Sequence, residues 1–215
     1  MLSKMATLAS SVAVAACSVV GVRDAEEPAH SVVARMNGVE IRTYAPRIAA
    51  ETTIDGTEMG ARSTGFRRIA AYIFGENTTG GSVAMTAPVA QAGGKSISMT
   101  APVAQGGAGE DGWTIRFFMP AKYTLETLPQ PKNPLVRLVP VPAETMAVLR
   151  FSGATDPATV AARQTDLREA LRSTIYKPVG GAVAWFYDPP WTLPPFRRNE
   201  VAVRVSDTTT PPVTP

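Results

Sequence analysis

The 215-residue chain has one cysteine, one histidine and no run of lysines and arginines, and each scarcity removes a class of function. A lone cysteine forms no disulfide within its own chain. With one imidazole and no second thiol, neither the common nucleophile–base pairs nor a zinc site of several imidazoles or thiolates can be assembled. Glu126, Asp156, Asp166 and Asp188 stand at no spacing that joins two carboxylates, so no catalytic residue is named and a non-enzymatic role is expected. The small net charge of +3 withholds the electrostatic footprint that a phosphate backbone needs, and nucleic acid is not an expected partner. Charged residues are only 18% of the chain and hydrophobic ones 45%, which is enough apolar surface to bury a core in one domain.

The longest apolar stretch near the start, Met5 to Ala16, is shorter than the roughly 20 residues of a membrane-spanning helix and suits a secretory signal. It ends Val14-Ala15-Ala16-Cys17, and small residues before a cysteine resemble the bacterial lipobox, at which Cys17 would be acylated and become the new N-terminus. Such lipidation accounts for an unpaired cysteine in an oxidising compartment. An ordinary cleavage site beside a bystander thiol is the competing reading. The chain then divides into a signal peptide at 1–16, a lipidated N-terminus and linker at 17–29, a folded domain at 30–205 and a disordered tail at 206–215. The expected location is the cell envelope, as a periplasm-facing lipoprotein touching the membrane through its anchor only, with a soluble periplasmic form as the alternative.

Ser31 to Met36, Asn37-Gly38 and Val39 to Tyr44 predict a hairpin, because Asn-Gly supplies the two positive φ values of a type I′ turn. A third strand follows Pro46, with Ile48, Ala50, Thr52 and Ile54 on one face. From about Glu58 to Phe74 the period becomes helical, with Phe66, Ile69, Ala70 and Ile73 on one stripe. Two near-copies, Val83 to Gln91 and Ile97 to Gln105, predict paired strands with Pro88 and Pro102 at edges or bulges. Strands are expected at Trp113 to Met119, Val136 to Val141 and Thr145 to Phe151. A helix is expected from Pro157 to Ser173, capped by Asp156, and closing strands at Ala182 to Tyr187 and Asn199 to Val205. The outline predicts an α+β fold, a distorted antiparallel or mixed barrel of two similar halves with two outer helices.

Val39-Glu-Ile-Arg-Thr-Tyr44, the doubled Met-Thr-Ala-Pro-Val, Tyr123 to Pro129, Phe151-Ser-Gly153 and Tyr187-Asp-Pro-Pro-Trp191 leading into Arg197-Arg-Asn-Glu200 together resemble the SOUL haem-binding family. The resemblance runs from about His30 to Val205. It implies a distorted barrel like the effector-binding domains of bacterial multidrug-response regulators, and low-affinity haem or another apolar planar molecule as ligand. The implied role is a tetrapyrrole carrier or buffer. A binding module for a different apolar molecule, or an interaction protein with a vestigial cleft, stays open, and the oligomeric state is not legible. In animal relatives haem is thought to lie in a shallow cleft between the first helix and the loop before the last strand. Here that implies Arg62, Phe66, Ile69 and Ile73 from the helix and Trp191, Phe196, Arg197 and Arg198 from the loop. Arg67 and Arg68 are further candidates for the propionates. Ala70 and Ala71 stand where an animal relative has methionine and lysine, so the helix contacts are not carried over residue by residue.

His30 is the first candidate for an axial ligand, against the reading of an exposed histidine at a linker junction. Met85 and Met99 offer thioethers but suit plain packing. Trp185, Phe186 and Tyr187 read as strand aromatics facing a core, whereas Trp191 and Phe196 sit between proline pairs that stiffen a loop. Arg197 and Arg198 beside Glu200 fit either ligand contact or an ion-pair cluster.

Overall fold

The computed structural model describes residues 25–93, 112–189 and 191–207. The signal segment, Cys17, Met99, the second near-copy and residues 208–215 lie outside the described residues.

The described residues form nine strands and two long helices. They are β1 (His30–Met36), β2 (Val39–Tyr44), β3 (Arg47–Ile54), α1 (Glu58–Ile73), β4 (Val89–Gly93), β5 (Trp113–Phe118), β6 (Arg137–Val141), β7 (Glu144–Phe151), α2 (Pro157–Leu171), β8 (Tyr176–Phe186) and β9 (Asn199–Asp207). The first hairpin turns where expected, with Asn37 at φ 51° and Gly38 at φ 77°. Each helix starts on a side-chain cap: Thr57 accepts from the Gly60 amide and Asp156 from the Thr159 amide, with Pro157 in the first turn.

One sheet takes all nine strands in the order β1-β2-β7-β9-β8-β4-β5-β3-β6, and its ladders are antiparallel. The segments β3-α1-β4-β5 and β7-α2-β8-β9 take the same arrangement, β3-β5-β4 and β7-β9-β8, and join where β4 meets β8. The leading strands are exchanged. β2, which precedes the first half, pairs with β7, and β6, which precedes the second, pairs with β3.

The expected α+β architecture with two outer helices is present, but among the described residues the sheet does not close into a barrel: β1 and β6 stand at its two ends. Pro140, which has no amide hydrogen to donate, sits in the end strand β6, where the outer side needs no ladder. The sheet nonetheless bends far round. Arg47 on β3 donates to Glu144 on β7, although four strands separate these two in the sheet order.

Both helices cover the outer face. Ile69, Tyr72 and Ile73 of α1 pack with Ala50, Ile115 and Phe117, while Val160, Leu167 and Leu171 of α2 pack with Ile41, Ala147, Val201 and Val203. Gly65 allows α1 its close approach, since a Cβ there would lie 2.4 Å from Ile115 Cγ1. A third cluster occupies the inner face: Tyr44, Ala49, Phe118, Val141, Met146, Trp185 and Ala202.

Two segments differ from expectation. The first near-copy is a strand only from Val89, after the cis bond between Ala87 and Pro88. β8 begins at Tyr176, through Pro178 and two glycines, because an irregularity in its pairing with β9 between Val179 and Val183 absorbs them.

Candidate ligand-binding cavity

Alternation along the strands gives the sheet two faces of different character. On β3, Ala50 packs toward α1, and Thr52 accepts from Arg68 of that helix. Arg47, Ala49 and Glu51 point the other way. The inner face encloses a cavity of about 920 Å³. Phe118, Val139, Met146, Val183, Trp185 and Tyr123 give it apolar walls, and Arg47, Arg116, Arg137 and Arg204 bring guanidinium groups. Residues Glu26 to Ala29 complete one rim. Glu26 is held there by the amide of Ala121 at 2.8 Å, and its carbonyl accepts from Ala87.

Beside the cavity lies a buried charge network. Arg42 donates to both oxygens of Glu200 at 2.9 and 3.1 Å, Tyr187 Oη donates to the same carboxylate at 2.6 Å, and Arg198 adds two more hydrogen bonds. Arg198 also reaches Glu27 and lies 3.9 Å over the Tyr187 ring. Burial pushes the Glu200 carboxyl up, but hydrogen bonding and charge from Arg42 outweigh it and hold the group below the usual carboxylate value. Burial, then the Glu200 charge, raises the Tyr187 phenol, which stays protonated.

Arg47 is unlike these. Its guanidinium is sandwiched between the Tyr44 and Phe118 rings at 4.1 and 4.2 Å, and one nitrogen donates to Glu144 at 2.5 Å. Nε and Nη1 are buried without a hydrogen-bond partner. Burial lowers the pKa of this group despite Glu144.

The residues expected to form a cleft do not line this cavity. Ile69 and Ile73 are 0% exposed, inside the core between α1 and the sheet. That placement corrects their expected role: the apolar stripe that fits a ligand is the same stripe that fits a helix to a sheet. Arg62 is a structural bracket, with donors to Gln91 Oε1, the Thr155 carbonyl and Glu58 and its guanidinium 3.8 Å over Phe186. Phe66 is half exposed and tilts against Phe117. Trp191 and Phe196 face solvent, at 63% and 51% exposed. Arg197 donates to the Thr192 carbonyl at 2.7 Å, and Arg198 belongs to the Glu200 network. Arg67 donates to Thr64 of its own helix at 3.5 Å. His30 is exposed, with Nδ1 3.3 Å from the Pro28 carbonyl oxygen and its ring 5.2 Å from that of Tyr44. Met85 is partly buried against the α1 core, as packing predicts.

Sequence reasoning passed over Glu51, Arg116 and Arg137. A signal was present. Arg116 and Arg137 are each the single charge of their strands, and Glu51 stands on β3 between Ala50 and Thr52; a charge among apolar or small strand residues marks a face that meets something other than oil.

Among solved structures, the C-terminal domain of EcmrR superposes with a TM-score of 0.56 at 11% identity, covering 79% of this chain and 97% of that one. EcmrR in its DNA complex gives the same score at 10% identity, and there the match spans 57% of the EcmrR chain. A hydrolase from Listeria innocua gives 0.50 at 12% identity, covering 81% of this chain and 94% of that one. At such identities the likeness is one of fold alone. No curated protein sequence matches. The model of the SOUL heme-binding protein family matches residues 25–204, which takes in both helices, the cavity walls and the described strands as far as Arg204 of β9, and the chain belongs to that family.

Proposed function

We propose that the chain binds a tetrapyrrole, haem foremost, as cargo in the inner-face cavity, and carries or buffers it without transforming it. The observation that carries this reading is a cavity of about 920 Å³ with apolar walls and guanidinium groups, in a chain of a haem-binding family. The volume lies within the roughly 300–1,000 Å³ of small-molecule sites. The residues present suit such a cargo: Phe118, Val139, Val183 and Trp185 offer apolar contact to the macrocycle, and guanidinium groups match carboxylates through paired donors. Affinity would come mainly from burying porphyrin surface, at about 25 cal/mol per Å² before association costs, so low affinity is expected. A cell-envelope site of action, reached through lipid on Cys17, is part of the proposal and is supported by the lipobox-like sequence.

Haemin titration tests it. Saturable growth of a shifted Soret band with quenching of tryptophan fluorescence is expected, and absence of both defeats the reading. A binding module for some other apolar molecule is distinguished by thermal-shift screening, since a ligand that binds only the folded state raises its melting temperature.

A further inference from the structure

The segment Glu26 to Ala29 runs along the cavity rim and enters the sheet at His30, where β1 begins. Ahead of that point it forms an isolated parallel bridge, Glu26 to Thr86. Three contacts pin it across the rim: the Ala121 amide donates to the Glu26 carboxylate at 2.8 Å, the Ala87 amide to the Glu26 carbonyl at 3.0 Å, and Arg198 to both oxygens of Glu27 at 2.8 and 3.0 Å. Pro28 has no amide hydrogen to add. Glu27 and Pro28 also wall a recess of about 10 Å³, together with Tyr44, Arg47, Phe118 and Trp185. The Arg47 side chain is packed there at 9% exposed, and its Nε and Nη1 have no hydrogen-bond partner. A buried donor without an acceptor carries a free-energy cost that contact with water would recover. Tyr44, Arg47, Phe118 and Trp185 lie on β2, β3, β5 and β8, whereas Glu27 and Pro28 lie outside any strand. The rim segment is therefore the wall that can yield.

We propose that Glu26 to Ala29 form a strap that swings about His30 between two positions. Pinned, it completes the cavity rim and seals Arg47 in its recess. Released, it widens the mouth and lets water reach the Arg47 donors. The three contacts favour closure and the unpaired donors favour release, which leaves the strap poised to open. Its part in admitting and discharging a ligand rests on the cavity being the tetrapyrrole site, whereas the motion itself does not.

Hydrogen exchange of the ligand-free protein, followed by NMR, tests the motion, because the Ala87 and Ala121 amides donate to the strap and exchange when it lifts. In wild type both should exchange at least about a hundredfold faster than the amides of Ile115 and Phe117 in β5, which open with the sheet. Glu27→Gln weakens a pin and should speed them by about tenfold. Arg47→Met with Glu144→Gln removes the unpaired donors and should slow them by about tenfold, the worth of one buried donor left without a partner. Exchange of Ala87 and Ala121 as slow as that of β5 overturns the strap, and so does exchange that the Arg47→Met and Glu144→Gln variant leaves unchanged. If that variant does not fold, unchanged exchange in Glu27→Gln overturns it. Stopped-flow binding of protoporphyrin IX, read by tryptophan quenching, tests the passage of ligand: Glu27→Gln should raise both the association and the release rate. Rates that stay the same while exchange quickens overturn the strap as the entry to the cavity. Absence of binding by wild type overturns the cavity reading, and the exchange data still decide the motion.

Discussion

Arg42 and Glu200, 158 residues apart, meet as a two-pronged ion pair with both side chains almost wholly buried. Arg42 lies on β2 and Glu200 on β9, and they are brought together because the leading strand of the first half is given to the second. The pair thus ties the exchanged strand to the half that receives it. Arg198 and Tyr187 saturate the same carboxylate, and Arg198 extends the tie to Glu27 on the cavity rim.

Removing the anion should be costly, because two guanidinium groups would be left in a buried setting without it. Glu200→Ala is expected to destabilise the fold by about 3–5 kcal/mol. Urea denaturation followed by tryptophan fluorescence measures this, and a change below 1 kcal/mol would refute the account.

The same carboxylate makes stability depend on acid. Its folded pKa lies below the usual 4.5, so the unfolded chain takes up a proton first as pH falls. The contribution of Glu200 is complete above about pH 4.5 and is lost as pH falls through the folded value. Comparing unfolding free energies of wild type and Glu200→Gln between pH 7 and pH 3 should show a steeper acid loss in wild type. Parallel curves would assign the acid sensitivity to other carboxylates.

Arg47 carries a stability cost, since two of its donors are buried without partners. Replacing an incompletely bonded buried ion pair with neutral groups is often neutral or stabilising by about 1–4 kcal/mol. Arg47→Met with Glu144→Gln should therefore raise the melting temperature, and calorimetry that finds a fall would show the stacking on Tyr44 and Phe118 to matter more.

Two surfaces compete for a planar ligand, and substitution separates them. Ala90→Trp adds bulk at the buried cavity wall and should abolish haemin binding, whereas Trp191→Ala with Phe196→Ala should leave it within about twofold, because those side chains border solvent outside the cavity. The reverse pattern would return the site to the exposed loop.

Acylation has its own test. Wild-type protein expressed in a bacterial host with radioactive palmitate should carry label, and Cys17→Ser should not. A soluble, unlabelled wild-type product would end the anchor proposal.

Much of the fold is written in short-range pattern. Asn37-Gly38 marks its turn, Thr57 and Asp156 cap their helices, and the alternation of Ile48, Ala50 and Thr52 against Arg47, Ala49 and Glu51 separates the two faces of β3. Tyr176 to Gly181 was illegible for the opposite reason: Pro178, Gly180 and Gly181 read locally as a loop, and only pairing with the long β9 draws them into a strand.

The sequence alone determined the helices, the strand alternation and the family, because turn chemistry, capping and periodicity act over a few residues. Tertiary structure decided which face stays open. Ile69 and Ile73 have the composition of a binding surface, yet they are consumed in seating α1, and the cavity forms on the face of the bent sheet that neither α1 nor α2 covers. The charge partnerships were decided there too. Glu51 meets Arg116 and Arg137, and Arg42 meets Glu200, only through strand order and register across the whole chain, which no local pattern of residues encodes.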